Sequence, residues 1–221
     1  MRIVSFTDIH GRFSVFSKSK KLLKSADTVV LSGDITDFGG KPETEKCLKE
    51  LGKYFTGQIY AVTGNCDYSS ADRVLDKKGV NIHSRVEINK GFAFAGLKGS
   101  LITPFSTPSE FTEDDYAYFI KKIEAELNNK DFPLIFISHQ PPYNCSCDSL
   151  SNKTHVGSRE IRSFIEKNSP AVCFTGHIHE AVGTDTIGQT VVVNPGNAFK
   201  KNAGVFDFKN GNFQVFIEKT G

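Results

Sequence analysis

No stretch of this sequence approaches the roughly 18 consecutive apolar residues that a helix needs to cross a bilayer, so no membrane partner is expected. The opening residues, MRIVSFTDIHG, pass directly into strand-like sequence without the apolar segment of a signal peptide, and a cytoplasmic location is expected. An excess of either charge is also missing. The 27 Lys and Arg residues stand against 25 Asp and Glu, a net charge of +2, whereas nucleic-acid binders usually carry a basic patch or stripe. Stable binding to nucleic acid is therefore not expected, and Lys18, Lys20, Lys21 and Lys24 read as the solvated face of a helix. Paired C-x-x-C spacing is absent among the five cysteines, which argues against a structural zinc site. An odd number of thiols in a chain too long to need disulfide staples reads as reduced cysteines. Nothing in the composition sets the oligomeric state.

Repeats, low-complexity segments and linkers are missing as well. With 38% apolar and 24% charged residues, the chain reads as one soluble globular domain over residues 1–221. Short runs rich in β-branched and aromatic residues recur at 2–6, 28–31, 58–62, 134–137, 171–174 and 190–193. Each is apolar on both faces, as expected of strands covered on both sides. Between them, TEDDYAYFIKKIEAELNN opens with Thr112 and Asp115 at capping-box positions and continues with Tyr116, Phe119, Ile120, Ile123 and Leu127 at helical spacing. GSREIRSFIEKN repeats the scheme with Ser158 as its cap, and Pro42 suits the first turn of a helix reaching about Lys53. From about Ala181 the pattern changes to β-hairpins, the last of them turning at Asn210-Gly211. The expected class is α/β, with mixed sheets, helices outside and an antiparallel hairpin region at the C-terminal end.

In open α/β sheets, ligands bind beyond the carboxyl ends of strands, and here those ends are polar. Asp8 and His10 follow the first run, Asp34 the second, Asn65 and Asp67 the third, His139 the fourth, and His177 and His179 the fifth. Four of the six histidines fall in this one recurrent position, and glycine precedes the polar group in three of the five. Such a set of nitrogen and oxygen ligands suits two first-row divalent cations about 3.5–4 Å apart, joined by a carboxylate. Imidazole mixed with carboxylate points to manganese, the expected pair, or to iron, zinc, cobalt or nickel, rather than to calcium. Two such ions activate a shared hydroxide and clamp the oxygens of an in-line displacement, which suits a phosphate ester.

The order D-x-H, G-D, G-N-x-D, H, G-H-x-H resembles that of the calcineurin-like metallophosphoesterase superfamily. It stands here as Asp8-Ile9-His10, Gly33-Asp34, Gly64-Asn65-Cys66-Asp67, His139 and Gly176-His177-Ile178-His179. The resemblance implies a four-layer αββα sandwich. It also implies that Asp8, His10 and His179 hold one metal and that Asn65, His139 and His177 hold the other. Asp34 would bridge the two, Asn65 would also steady the phosphate oxygens, and Asp67 would orient a ligand from behind.

Many members of that superfamily carry histidine at the position of Cys66, where it contacts phosphate and helps the leaving group depart. The G-N-C-D form found here resembles a small subset that includes simple phosphodiesterases. A cysteine nucleophile would need a C-x5-R loop, whereas six residues separate Cys66 from Arg73, so Cys66 reads as a small space-filling residue. Without a general acid the rate on poor leaving groups falls by about 10²–10⁴. His155, in SNKTHVGS, is the candidate replacement donor, and His83 reads as structural or exposed. The loops at 96–115 and 141–157 are the candidate lid and pocket segments. Ser100, Thr103 and Tyr143 are their candidate substrate contacts, while the VNPGN turn reads as structural. The expected activity is phosphodiester hydrolysis of a small phosphate-ester substrate. The alternatives are a phosphomonoesterase (phosphoprotein phosphatase or nucleotidase) and a metal-binding scaffold without turnover.

Overall fold

The computed structural model describes residues 1–127 and 132–221. In chain order its strands are β1 (Arg2–Phe6), β2 (Thr28–Ser32), β3 (Gln58–Val62), β4 (Val86–Asn89), β5 (Phe92–Leu97), β6 (Ser100–Leu101), β7 (Glu110–Phe111), β8 (Leu134–Ser138), β9 (Val172–Phe174), β10 (Gly183–Ile187), β11 (Thr190–Asn194), β12 (Asn202–Lys209) and β13 (Asn212–Lys219). Its helices are α1 (Ser14–Lys18), α2 (Lys20–Ser25), α3 (Lys41–Leu51), α4 (Ser69–Lys77), α5 (Glu113–Leu127) and α6 (Arg159–Asn168). One sheet has the order β13-β12-β1-β2-β3 and the other β10-β11-β9-β8-β5-β4, while β6 and β7 pair separately.

The alternation of side chains along each strand decides the layers. Ile3, Val30, Tyr60 and Val62 of the first sheet meet Phe94, Ile135, Ile137 and Phe174 of the second in a shared core. Their neighbours Val4, Val29, Leu31 and Ala61 turn the other way, onto Phe16, Leu23, Leu51 and Leu75 of the helices. On the far side, Ala93, Ala95, Phe136 and Cys173 pack against Tyr116, Ile120, Ile161 and Phe164 of α5 and α6. Every central strand is thus covered on both faces, which gives the αββα order. Full burial of each Val, Leu, Ile or Phe among them contributes about 1.5–3 kcal/mol.

Local signals place the helices. The Thr112 backbone N–H donates to Asp115 Oδ2 (2.9 Å), and the Asp115 N–H returns to Thr112 Oγ1 (3.2 Å), closing the expected box. Ser158 accepts from the Ile161 N–H (3.2 Å), and its own hydroxyl donates to Glu113 at the start of α5 (2.6 Å), which ties two helix ends together. Pro42 occupies the first turn of α3, which ends at Leu51. The expected extension of α5 over Asn128 and Asn129 lies outside the described residues. The exposed lysines of α1 and α2 form the solvated face expected of them.

The tail is divided between the two sheets. β11 runs parallel to β9 and carries β10, while β12 runs antiparallel to β1 and carries β13. Asn210 and Gly211 turn that last hairpin with φ of 51° and 82°, the geometry of a two-residue turn with both central residues left-handed. Among the described residues, no helix is long and apolar enough to cross a membrane.

Candidate metal centre

The carboxyl ends of β1, β2, β3, β8 and β9 bring the polar residues to one place. His179 Nε2 lies 3.1 Å from Asp8 Oδ1 and 3.3 Å from His10 Nε2. On the other side, His139 Nε2 lies 3.0 Å from Asn65 Oδ1. Asp34 stands between the two groups, with Oδ2 3.6 Å from His10 Nε2 and Oδ1 3.5 Å from His139 Nε2. Donor atoms of Asp8, His10 and His179 fall within 4.8 Å of one another, as do those of Asp8, Asp34 and His139. Such convergence of imidazole nitrogens and carboxylate oxygens fits divalent transition ions. His177 stands beside these groups, its ring centroid 5.3 Å from that of His139.

The backbone is bent to achieve this. Asp8, His10, Asp34 and His177 all have positive φ, between 45° and 67°, a conformation that costs a non-glycine residue about 1–3 kcal/mol. Hydrogen bonds hold it: the Asp8 N–H donates to Gly33 O (3.1 Å), the His10 N–H to Asp34 O (3.0 Å), and the His177 N–H to the Asp8 carboxylate (3.1 Å). Gly33 is required twice over, by a φ of 96° and because a Cβ there would strike the His139 ring.

Supporting contacts orient the polar groups. His139 Nδ1 donates to the Ser32 carbonyl (2.9 Å), which fixes the ring so that Nε2 points toward Asn65 and Asp34. Asp67 is buried and accepts from the Gly64 N–H (2.8 Å), the Ile35 N–H (3.1 Å), and the N–H and hydroxyl of Thr36 (2.8 and 2.7 Å). It therefore staples the turn that follows Asp34. In the VNPGN turn, Asn194 donates to Ile178 O (2.9 Å) and so braces the loop of His177 and His179.

Charge in this place is shared. Burial works against the ionised Asp8 and Asp34, but the hydrogen bond from His179 to Asp8 and the charge of His139 beside both hold them below the usual carboxylate range. His139 is pushed up to about 9, Asp34 and Asp8 outweighing its burial, while burial followed by His139 drives His177 down to about 4. Burial, then Asp34, raises the Cys66 thiol. The thiol is thus protonated at neutral pH, the opposite of what a nucleophile needs.

A cleft of about 640 Å³ opens over the group. Its lining includes the polar group of His10, Asp34, Asn65, Cys66, His177 and His179 together with Phe38, Leu101, Ile102, Thr103, Pro104 and Phe105. Three expected contacts are corrected here. Ser100 is fully buried with its hydroxyl on the Leu101 carbonyl (2.8 Å). Tyr143 lies under the Arg159 guanidinium at 3.9 Å. His155 donates from Nδ1 to the buried Asp148 (2.5 Å) and packs edgewise on Tyr143. None of the three lines the cleft. Thr103 does, with its hydroxyl on Glu110 (2.6 Å). His83 is structural, accepting from the Lys98 N–H (3.3 Å) against Phe119.

Besides the apolar lining, two polar residues that position the site were not singled out from the sequence. Thr107 accepts from Asn65 Nδ2 (3.0 Å), aiming the amide oxygen at His139. Gln140 joins both cleft loops, accepting from the Leu101 N–H (3.0 Å) and donating to Val156 O (2.8 Å). Their sequence neighbourhoods carry no sign of this, because both contacts cross between distant loops.

Comparison with known proteins agrees with this geometry. The family model of the calcineurin-like phosphoesterases matches residues 1–181, a span that holds every polar strand end described above. An uncharacterised protein of Methanocaldococcus jannaschii is 37% identical, with 96% of this chain and 98% of the relative covered. Among solved structures, TT1561 of Thermus thermophilus superposes with a TM-score of 0.74 at 19% identity, covering 97% of each chain. A structure described as a novel archaeal phosphodiesterase superposes at 0.53 and 14% identity over 99% of this chain and 100% of its own. Motif order, donor geometry and family match agree: the chain belongs to the calcineurin-like phosphoesterases.

Proposed function

We propose that this protein is a metal-dependent phosphodiesterase. Asp8, His10 and His179 hold one divalent cation, Asn65, His139 and His177 a second, and Asp34 serves both, with manganese as the working metal. The observation that carries this reading is Asp34, which turns one carboxylate oxygen toward each group of ligands. Cations in such a site lower the pKa of bound water and neutralise charge building on the phosphate.

The residues themselves do the positioning. The Ser32 carbonyl sets the His139 tautomer, Thr107 sets the Asn65 amide, and Asp67 sets the turn that carries Asp34. Among the described residues, no lysine or arginine lines the cleft. The singly charged phosphate of a diester therefore suits it better than a dianionic monoester. Beside the phosphate position Cys66 offers only a protonated thiol, and His155 is engaged elsewhere. Substrates with acidic leaving groups, which depart without a proton, are accordingly preferred.

The test is hydrolysis of bis-(4-nitrophenyl) phosphate and 4-nitrophenyl phosphate by metal-stripped protein reloaded with Mn²⁺, beside Asp34→Asn. The expected result is metal-dependent turnover, faster on the diester and about 10³-fold lower in Asp34→Asn. Preference for the monoester would make the protein a phosphomonoesterase. Two bound metals per chain with no turnover would make it a scaffold.

A further inference from the structure

We infer that the phosphate taken by this site carries an uncharged apolar substituent, which lies on the wall formed by Phe38, Ile102, Pro104 and Phe105. The inference rests on the phosphoesterase reading above and names the substrate class. Ile102, Phe105 and Phe38 are 71%, 81% and 53% exposed, yet all three line the same cleft as the metal ligands. Large apolar side chains are normal singly on a surface, but grouped at the mouth of a cleft they mark a binding surface.

The wall is held in place against the centre. Glu110 Oε1 accepts from the Thr103 hydroxyl (2.6 Å), the Thr107 hydroxyl (2.6 Å) and the Thr107 N–H (2.8 Å). The same loop reaches Asn65 twice, through the Ser109 N–H to Asn65 O (3.1 Å) and Asn65 Nδ2 to Thr107 (3.0 Å). The cleft therefore has both ionic and apolar lining, and hydrogen bonds tie the loop that carries Ile102, Pro104 and Phe105 to Asn65.

Charge excludes the other substrate classes. No lysine or arginine lines this cleft among the described residues, and Glu180 stands at its edge. The basic groups Arg12, Lys18, Lys46 and Lys201 line a different depression. A second phosphate or a carboxylate on the substrate would meet no counter-charge. At about 640 Å³ the cleft has the size of a small-molecule pocket, enough for one phosphate and one alkyl or aryl group.

The test is calorimetric binding of n-alkylphosphonates, methyl to hexyl, to Mn²⁺-loaded protein and to Ile102→Ser/Phe105→Ser, with Phe38→Ser as a second variant. Full burial tightens binding about 4-fold per methylene; with one-sided cover, the five added methylenes are expected to give about 30-fold. Both variants should flatten that dependence, and exposed positions leave the fold intact. Chain-length independence, or tighter binding of methylenebisphosphonate than of hexylphosphonate, overturns the inference. So does a dimer in sedimentation that the double variant dissolves, since the wall would then be an interface. Turnover of bis-(4-nitrophenyl) phosphate is followed in parallel. Turnover without chain-length dependence refutes the apolar subsite alone. Wall-dependent binding without any turnover refutes the phosphoesterase reading alone.

Discussion

Replacing Gly64 with alanine puts a methyl group where the carboxylate and backbone nitrogen of Asp34 already stand. Gly64 is not among the positive-φ residues, so alanine meets no backbone penalty and the whole effect is one of space. Asp34 has little room to retreat. Its side chain is 3% exposed, its Oδ1 accepts the Cys66 N–H (2.9 Å), and His10 and His139 flank it. Restoring an ordinary contact requires a shift on the order of 1 Å in a close-packed region, an overpacking that costs about 1–3 kcal/mol of stability. A misplacement of about 1 Å at a reacting centre costs about 10²-fold in rate, or ~2.7 kcal/mol of barrier. Gly183→Ala is the control, because nothing lies within 4 Å of the added carbon, and it should be neutral or stabilising by about 0.4–1 kcal/mol. Urea unfolding, metal titration by calorimetry and kcat/KM on an aryl phosphodiester measure the three effects. If Gly64→Ala bound two metals with native affinity and kept its rate within about threefold, Asp34 could not be the shared ligand.

Cys66→His should restore a proton donor beside the phosphate. The gain should reach about 10²-fold on alkyl leaving groups and nearly vanish on 4-nitrophenolate, and a uniform change across leaving groups would contradict the role given to this position. Mn²⁺ at about 100 times its Kd should stabilise the stripped protein by about 2.7 kcal/mol and raise Tm by about 5–10 °C. Asp34→Asn should lose most of that rise in a thermal melt, and an unchanged rise would remove Asp34 from the ligand set. Burial, then Lys98, Lys122 and Arg85, holds the pKa of His83 at about 3, against about 6.5 in an unfolded chain. The unfolded state therefore binds the extra proton, so this stability is complete above about pH 6.5 and is lost as pH falls toward 3. His83→Gln keeps an acceptor for the Lys98 N–H and should lose about 2–3 kcal/mol less than the native protein between pH 7.5 and 4.5. Parallel urea midpoints in the two proteins would refute it.

What was legible in the sequence was local. The runs that became β1, β2, β3, β8, β9 and β11 are apolar on both faces because two layers cover them, and the hairpin at Asn210-Gly211 carries its own turn chemistry. The β4–β5 hairpin and α4 were missed. β4 has exposed residues such as Glu87 on its open side, and α4 shows only Ala71, Val74 and Leu75 to the core, so neither interrupts a polar stretch strongly. Among the site residues, those within a few positions of a strand end were legible, because the strand fixes where they emerge. His155 and Tyr143 sit in a long loop whose direction is set by contacts outside their own few residues, Asp148 for His155 and Arg159 for Tyr143, and Ser100 is buried in β6, which pairs with β7 across the same kind of loop.

By itself, therefore, the sequence determined the strands that carry the site, the capped helices and the identity of the donor atoms, since each depends on residues a few positions apart. Tertiary structure alone decided the rest: that Asp34 divides its two oxygens between His10 and His139, that Thr107 turns the Asn65 amide, and that Ile102 and Phe105 line one cleft with His10, Asn65 and His179. Those relations join segments whose separation in the chain no local preference encodes: the pairing of β1 with β2 brings Asp34 beside His10, and the packing of the second sheet on the first brings His139 to Asp34 and Asn65.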